Sequence, residues 1–127
     1  MLREGSDVAL ISTGLMTAEA LAAADELAQA GIHARIINLC SIKPLDEELV
    51  LKAARECGRI VTCEEHSVIG GLGEAVCAVI AEAGVACRVK RVGVNDEFGH
   101  SGPAKEVLAQ FGLDAAGIVR AAKSLLG

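Results

Sequence analysis

Tryptophan and tyrosine are missing from this 127-residue chain, and phenylalanine occurs only at positions 98 and 111. Proteins that hold nucleic acid stack bases on aromatic rings and neutralise phosphates with a basic stripe. Here Lys and Arg are scattered, gathering only at Arg88, Lys90 and Arg91, and the formal net charge is −5. No nucleic-acid partner is expected. Long apolar runs are missing as well. Stretches such as Val8-Ala9-Leu10-Ile11 stop after a few residues, whereas a bilayer span needs ~20 in succession. The chain is therefore not expected to cross a membrane, although 52% of its residues are hydrophobic and its mean hydropathy is +0.44. It opens with no charged leader before a long apolar stretch, so no secretory signal is expected. The five cysteines, at 40, 57, 63, 77 and 87, include no CxxC pair and are odd in number. Both a zinc site and a disulfide framework are thereby disfavoured. Reduced, buried thiols in a cytoplasmic protein are the expectation.

What is present is a regular alternation. The length fits one domain over residues 1–127, large enough to bury roughly two-thirds of the surface its unfolded chain exposes. Residues 8–12 are apolar without alternation and read as a fully buried strand. Thr17 can cap a helix running to about Ala30, with Ala20, Leu21, Ala24, Leu27 and Ala28 at helical spacing and Gly31 at the C-cap. A second strand spans 34–38, and 41–45 form a connector around Pro44. Asp46 caps a second helix, with Glu47 and Glu48 in its first turn and Gly58 closing it. A third strand spans 60–63. A glycine-rich loop and a helix over 72–83 come next, closed by Gly84, and 86–94 give a fourth strand. A loop at 95–103, a helix over 104–111 and a last helix ending near Leu126 complete the pattern. Repeated strand-helix units imply parallel strands joined by right-handed crossovers. Strands this apolar need cover on both faces, so the fold class is α/β: a three-layer α/β/α sandwich on a mostly parallel sheet. Residues before Val8 are read as a candidate antiparallel edge strand.

In an open parallel sheet, ligands collect beyond the carboxyl ends of the strands. Three segments fall there: Thr13-Gly14-Leu15-Met16, residues 64–73, and residues 95–103. Gly70-Gly71-Leu72-Gly73 could cradle a phosphate at a helix N-terminus. Against this, Glu64, Glu65 and Glu74 crowd the same corner and would repel it, and the glycines come too long after the strand for a dinucleotide turn. The plainer reading is close helix-to-sheet approach and positive φ. Glu64-Glu65-His66 offers a base beside carboxylates; the alternative is a loop whose acids meet solvent or another domain. His100 and Ser101 lie in a similar loop. Cys63 with His66 lacks an oxyanion hole or orienting group, so a buried cysteine is preferred. His33, between a helix end and a strand, reads as exposed. Metal ligation by Glu64, Glu65, His66, Asp96 and His100 has no supporting helical spacing.

The run Thr62-Cys63-Glu64-Glu65-His66-Ser67-Val68-Ile69-Gly70-Gly71-Leu72-Gly73-Glu74-Ala75-Val76 resembles a segment of the C-terminal domain of the transketolase family. That family includes transketolase, 1-deoxyxylulose-5-phosphate synthase and the β subunit of 2-oxo-acid dehydrogenases. Arg3-Glu4-Gly5-Ser6-Asp7-Val8, Ser12-Thr13-Gly14, Ile42-Lys43-Pro44-Leu45-Asp46, Asp96-Glu97-Phe98-Gly99-His100-Ser101-Gly102 and Phe111-Gly112-Leu113-Asp114 agree in order.

The resemblance implies a mixed five-stranded sheet with four parallel strands. The first strand is central and neighbours the third, which sets Thr13-Gly14 beside 64–73. It also implies a dimeric, cytoplasmic enzyme of two-carbon ketol transfer, as in the pentose phosphate pathway, using thiamine diphosphate and a divalent metal. Both are gripped by two domains this chain lacks. No Gly-Asp-Gly with a downstream Asn is present to hold the metal. No catalytic, cofactor-binding or metal-binding residue is therefore carried over, and the isolated chain is expected to be inactive. Its expected partners are the remaining transketolase domains or an N-terminal subunit, together with a second copy. The candidate ligand or interface residues are Thr13, Gly14, Glu64, Glu65, His66, Gly70, Gly71, Gly73, His100 and Ser101. A small regulatory ligand, cationic or neutral, is the alternative use of that crevice. The start at Met1, just ahead of Arg3-Glu4-Gly5, fits either an excised domain or a finely split gene.

Overall fold

β1 (Val8–Ser12) is buried along all of its five residues. A strand with no wet face has to lie inside a sheet covered on both sides. The computed structural model, which describes residues 2–13, 16–39, 46–67, 71–94 and 115–126, places it there. The sheet runs in the order β2 (Ala34–Asn38), β1, β3 (Arg59–Ser67), β4 (Arg88–Val94), and each neighbouring pair is parallel. α1 (Met16–Gln29) and α4 (Ala115–Leu126) cover one face; α2 (Glu47–Cys57) and α3 (Leu72–Ala83) cover the other. The side-chain alternation of β1 divides the core between them. Val8 and Leu10 join Ala24, Leu27 and Ile118, whereas Ala9 and Ile11 join Val50, Ala54 and Val76. The three-layer α/β/α arrangement and the central, shared position of β1 are as the sequence implies.

Helix punctuation reflects local chemistry. Asp46 Oδ1 accepts from the Leu49 N–H at 3.2 Å and caps α2. Gly58 and Gly84 close α2 and α3 in the left-handed region, each with φ of 70°, a conformation a side chain would strain.

Four expectations need correcting. Thr17 does not cap α1, which begins at Met16 with the Met16 N–H donating to the Thr13 carbonyl at 3.2 Å. The Thr17 hydroxyl is drawn instead to buried Ser12, 3.0 Å away, and donates to Asn38 Oδ1 at 3.1 Å; a hydroxyl buried at a strand end needs such a partner. β4 begins at Arg88, not Ala86, because its register with β3 starts at Arg59 opposite Arg88. β3 continues past Cys63 to Ser67, so Glu64-Glu65-His66-Ser67 is strand rather than loop. In place of an antiparallel edge strand, the residues before β1 give a single antiparallel bridge, Arg3 opposite Ile36. Beyond that bridge, the Gly5 carbonyl accepts from Arg35 Nε at 3.0 Å. The described sheet thus has four strands rather than five. The expected connector at 41–45, the loop at 95–103, the helix at 104–111 and Cys40 lie outside the described residues.

Candidate functional site

With β2 on one flank of β1 and β3 on the other, the sheet reverses its winding at β1 and β3, and their carboxyl ends form the topological switch point. Thr13 and the start of the Glu64 run meet there, the Thr13 N–H donating to the Cys63 carbonyl at 3.4 Å. Beyond this point β3 slips against β4. Cys63 lies opposite Val92 and Ser67 opposite Val94, so the stretch holding Glu64, Glu65 and His66 faces a single residue of β4. Such a bulge bends the strand and re-aims the residues beyond it.

Glu64, the first bulged residue, is 2% exposed. Its Oε1 accepts from the Leu72 N–H at 3.1 Å and its Oε2 from the Gly73 N–H at 2.7 Å. The N-cap residue of α3 is Gly71, which makes no side-chain capping bond, so Glu64 caps the helix from eight residues upstream. A carboxylate suits the positive end of a helix, and charge-assisted bonds are the stronger kind. It stands where a bound phosphate would stand at such a helix end.

Neither Gly71 nor Gly73 has positive φ, and Gly73 serves close approach. Gly71 is extended, with φ of −99°. A Cβ added to Gly73 would lie 2.8 Å from Thr62 Oγ1 and 2.7 Å from Arg91 Cδ. Glycine thus lets α3 start directly on the β3–β4 surface. Thr62 Oγ1 is itself buried with no hydrogen-bond partner among the described residues.

Of the residues proposed from sequence, Thr13, Glu64, Gly71 and Gly73 are drawn together at this end of the sheet, with the backbone of Glu65 and His66 in the bulge. Gly14, Gly70, His100 and Ser101 lie outside the described residues, as do Asp96 and Glu97. His33 is exposed, as expected, far from the site at the amino end of β2, and its backbone N–H donates to Asp7 Oδ2 at 2.7 Å. Among the described residues, no three His, Cys, Asp or Glu side chains are placed to hold a metal ion, and no helix is long and apolar enough to cross a membrane. Complete burial, with the Glu64 charge adding to it, pushes the Cys63 thiol far above its ordinary range. Cys63 is accordingly a packing residue and not a thiolate nucleophile. Burial also raises Cys57, against a lowering by Arg35, and raises Cys87.

Sequence reasoning missed three polar anchors. Arg35, inside the buried run of β2, donates through NH2 to Glu56 Oε1 at 2.7 Å. Glu19 Oε2 accepts from the Ala115 N–H at 3.1 Å, and Arg88 NH1 donates to the Leu125 carbonyl at 2.8 Å, so α4 is held at both ends. A charged residue within an otherwise apolar strand was the available signal for Arg35. The partners of Glu19 and Arg88 lie 96 and 37 residues away, and no local pattern announces them.

The family model described as "Transketolase, C-terminal domain" matches residues 1–118. The chain is 50% identical over 124 residues to the 6-deoxy-6-sulfo-D-fructose transketolase subunit of Clostridium sp. (strain MSTE9), covering 96% of this chain and 38% of that protein. It is 46% identical over 127 residues to the 1-deoxy-D-xylulose-5-phosphate synthase 1 of Geobacter sulfurreducens, covering 99% of this chain and 20% of that one. Among solved structures, a chain of a split-gene transketolase, titled an inactive beta4 tetramer, superposes with a TM-score of 0.93 at 47% identity; 98% of this chain and 41% of that one are covered. This chain therefore spans between about a fifth and two-fifths of the length of these relatives.

Proposed function

The chain belongs to the transketolase C-terminal domain family, and we propose that it is the propping domain of a thiamine-diphosphate-dependent, transketolase-type enzyme, with the cofactor and its metal held by other domains. Its partners in this reading are those domains, on the same polypeptide or on a separate N-terminal subunit, and a second protomer. The relatives include both transketolase subunits and 1-deoxy-D-xylulose-5-phosphate synthases, so the similarity supports the reaction class and not one sugar substrate or pathway.

The observation that carries this reading is Glu64. In a wound parallel sheet, a helix N-terminus at the switch point is where a phosphorylated ligand is taken up. Here the Leu72 and Gly73 N–H groups bond the chain's own buried carboxylate. The described residues therefore do not fit a diphosphate. Thiamine diphosphate with Mg²⁺, titrated calorimetrically into the chain, is expected to give no binding heat. The chain mixed with a transketolase-family polypeptide lacking this domain is expected to restore ketol transfer. Turnover by the chain alone, or tight cofactor binding to it, would refute the reading.

A further inference from the structure

We propose that residues 2–7 form a strap that closes the β2 edge of the sheet against pairing with a second copy of this chain. An edge strand presents a row of unpaired N–H and C=O groups, and any chain carrying a matching row can add to it. β2 and β4 end the described sheet, and the two differ in how they meet this hazard. β4 carries Arg88, Lys90 and Arg91, all exposed, and charges on an edge strand deter pairing. β2 is buried from Ala34 to Ile37. Its one charge, Arg35, is 6% exposed and bound to Glu56. A charge held in that way does not repel an approaching strand, so β2 needs another guard.

The residues before β1 supply it by lying along the outer side of β2. The Leu2 N–H donates to the Ile36 carbonyl at 2.8 Å and the Ile36 N–H to the Arg3 carbonyl at 3.0 Å, which takes up both backbone groups of Ile36. Towards β1, the Asp7 N–H donates to the His33 carbonyl at 3.0 Å, and Asp7 Oδ2 accepts from the His33 N–H. Between these two ties Gly5 lies flush on the strand. A Cβ there would stand 2.4 Å from the Ala34 carbonyl carbon and 2.6 Å from the Arg35 nitrogen, while the Gly5 carbonyl is gripped by Arg35 Nε. Arg3 adds an ion pair to Asp25 of α1. A full antiparallel strand would cover β2 as well, but its own outer side would become a new edge. A strap with one bridge and several side-chain ties closes β2 without offering that second row.

The test compares the 127-residue chain with its Gly5→Ala variant. The added methyl meets the backbone of a strand held in register by β1, so it is the strap that lifts. Amide hydrogen exchange at Ile36 is expected to quicken by about tenfold, the scale of one lost hydrogen bond. Light scattering over a concentration series is expected to approach about a doubling of the wild-type mass, as one two-fold contact between copies gives. Adding Asn38→Lys, which sets on β2 the kind of charge that β4 carries, is expected to return the wild-type mass and to leave Ile36 exchange fast. Leu2→Pro removes the N–H bonded to Ile36 at a residue that is 55% exposed. It is expected to move exchange and mass the same way by less, and it carries the comparison if Gly5→Ala does not fold. Fast Ile36 exchange with an unchanged mass overturns the inference, as does a raised mass that Asn38→Lys does not lower. Unchanged exchange in both variants means that the strap is not what protects Ile36, and overturns it equally.

Discussion

Replacing Gly73 by Ala sets two opposed effects against each other, and their magnitudes decide the outcome. Alanine favours a helix over glycine by about 1 kcal/mol in its interior, so propensity alone makes the variant more stable. The new methyl, however, would sit 2.8 Å from Thr62 Oγ1 and 2.7–2.8 Å from the Arg91 stem. Arg91 is exposed and can move aside. Thr62 is fully buried on a strand held between two others, and overpacking of that kind costs about 1–3 kcal/mol. Shifting α3 outward would relieve the contact only by lengthening the bonds to Glu64. We expect a net loss of about 1 kcal/mol, the clash exceeding the propensity gain. Urea unfolding should show a lower midpoint with an unchanged slope. In double-mutant cycles, Thr62→Ala should recover most of the loss and Arg91→Ala little. A Gly73→Ala chain as stable as wild type, or strict additivity with Thr62→Ala, would refute the packing argument.

Two further outcomes depend on single atoms. Thr62→Val keeps the shape and removes a buried hydroxyl without a partner among the described residues, so urea unfolding should show a gain of about 1 kcal/mol; a loss would mean that the hydroxyl is bonded in solution. The Cys63 thiol ionises at higher pH folded than unfolded. Below the unfolded value of about 8.5 both states hold the proton and the contribution to stability is fully present. As pH rises above that value the unfolded state loses its proton first, so stability falls by up to about 1.4 kcal/mol per pH unit from this group. Reduced chain monitored by urea unfolding between about pH 8 and 10, the range in which a free thiol titrates, should therefore weaken more steeply than Cys63→Ala; parallel slopes would contradict the assignment.

The fold was legible because its signals are local. An unbroken apolar run at β1, Asp46 before two glutamates, and glycines past two helix ends each act within a few residues of where they stand. The central position of β1 came from the family resemblance rather than from periodicity. The site was legible in place but not in role. That acids crowd the corner of α3 could be read from composition. That one of them enters the helix end depends on the bulge, a pairing property of β3 with β4 that neither strand encodes alone. Thr17 misled for a related reason: hydroxyl residues suit caps, but buried Ser12 competed for the same hydroxyl.

The clasping of α4 bears on the order in which the chain can finish folding. Its Ile118 and Ala122 fill the layer shared with Val8 and Leu10, and its two ends are fastened by Glu19 and Arg88. During synthesis, the face of the sheet under α1 stays half uncovered until residues 115–126 have left the ribosome. The oily side of β1 therefore waits for α4, made more than a hundred residues later, and apolar surface stays open to association until that helix docks.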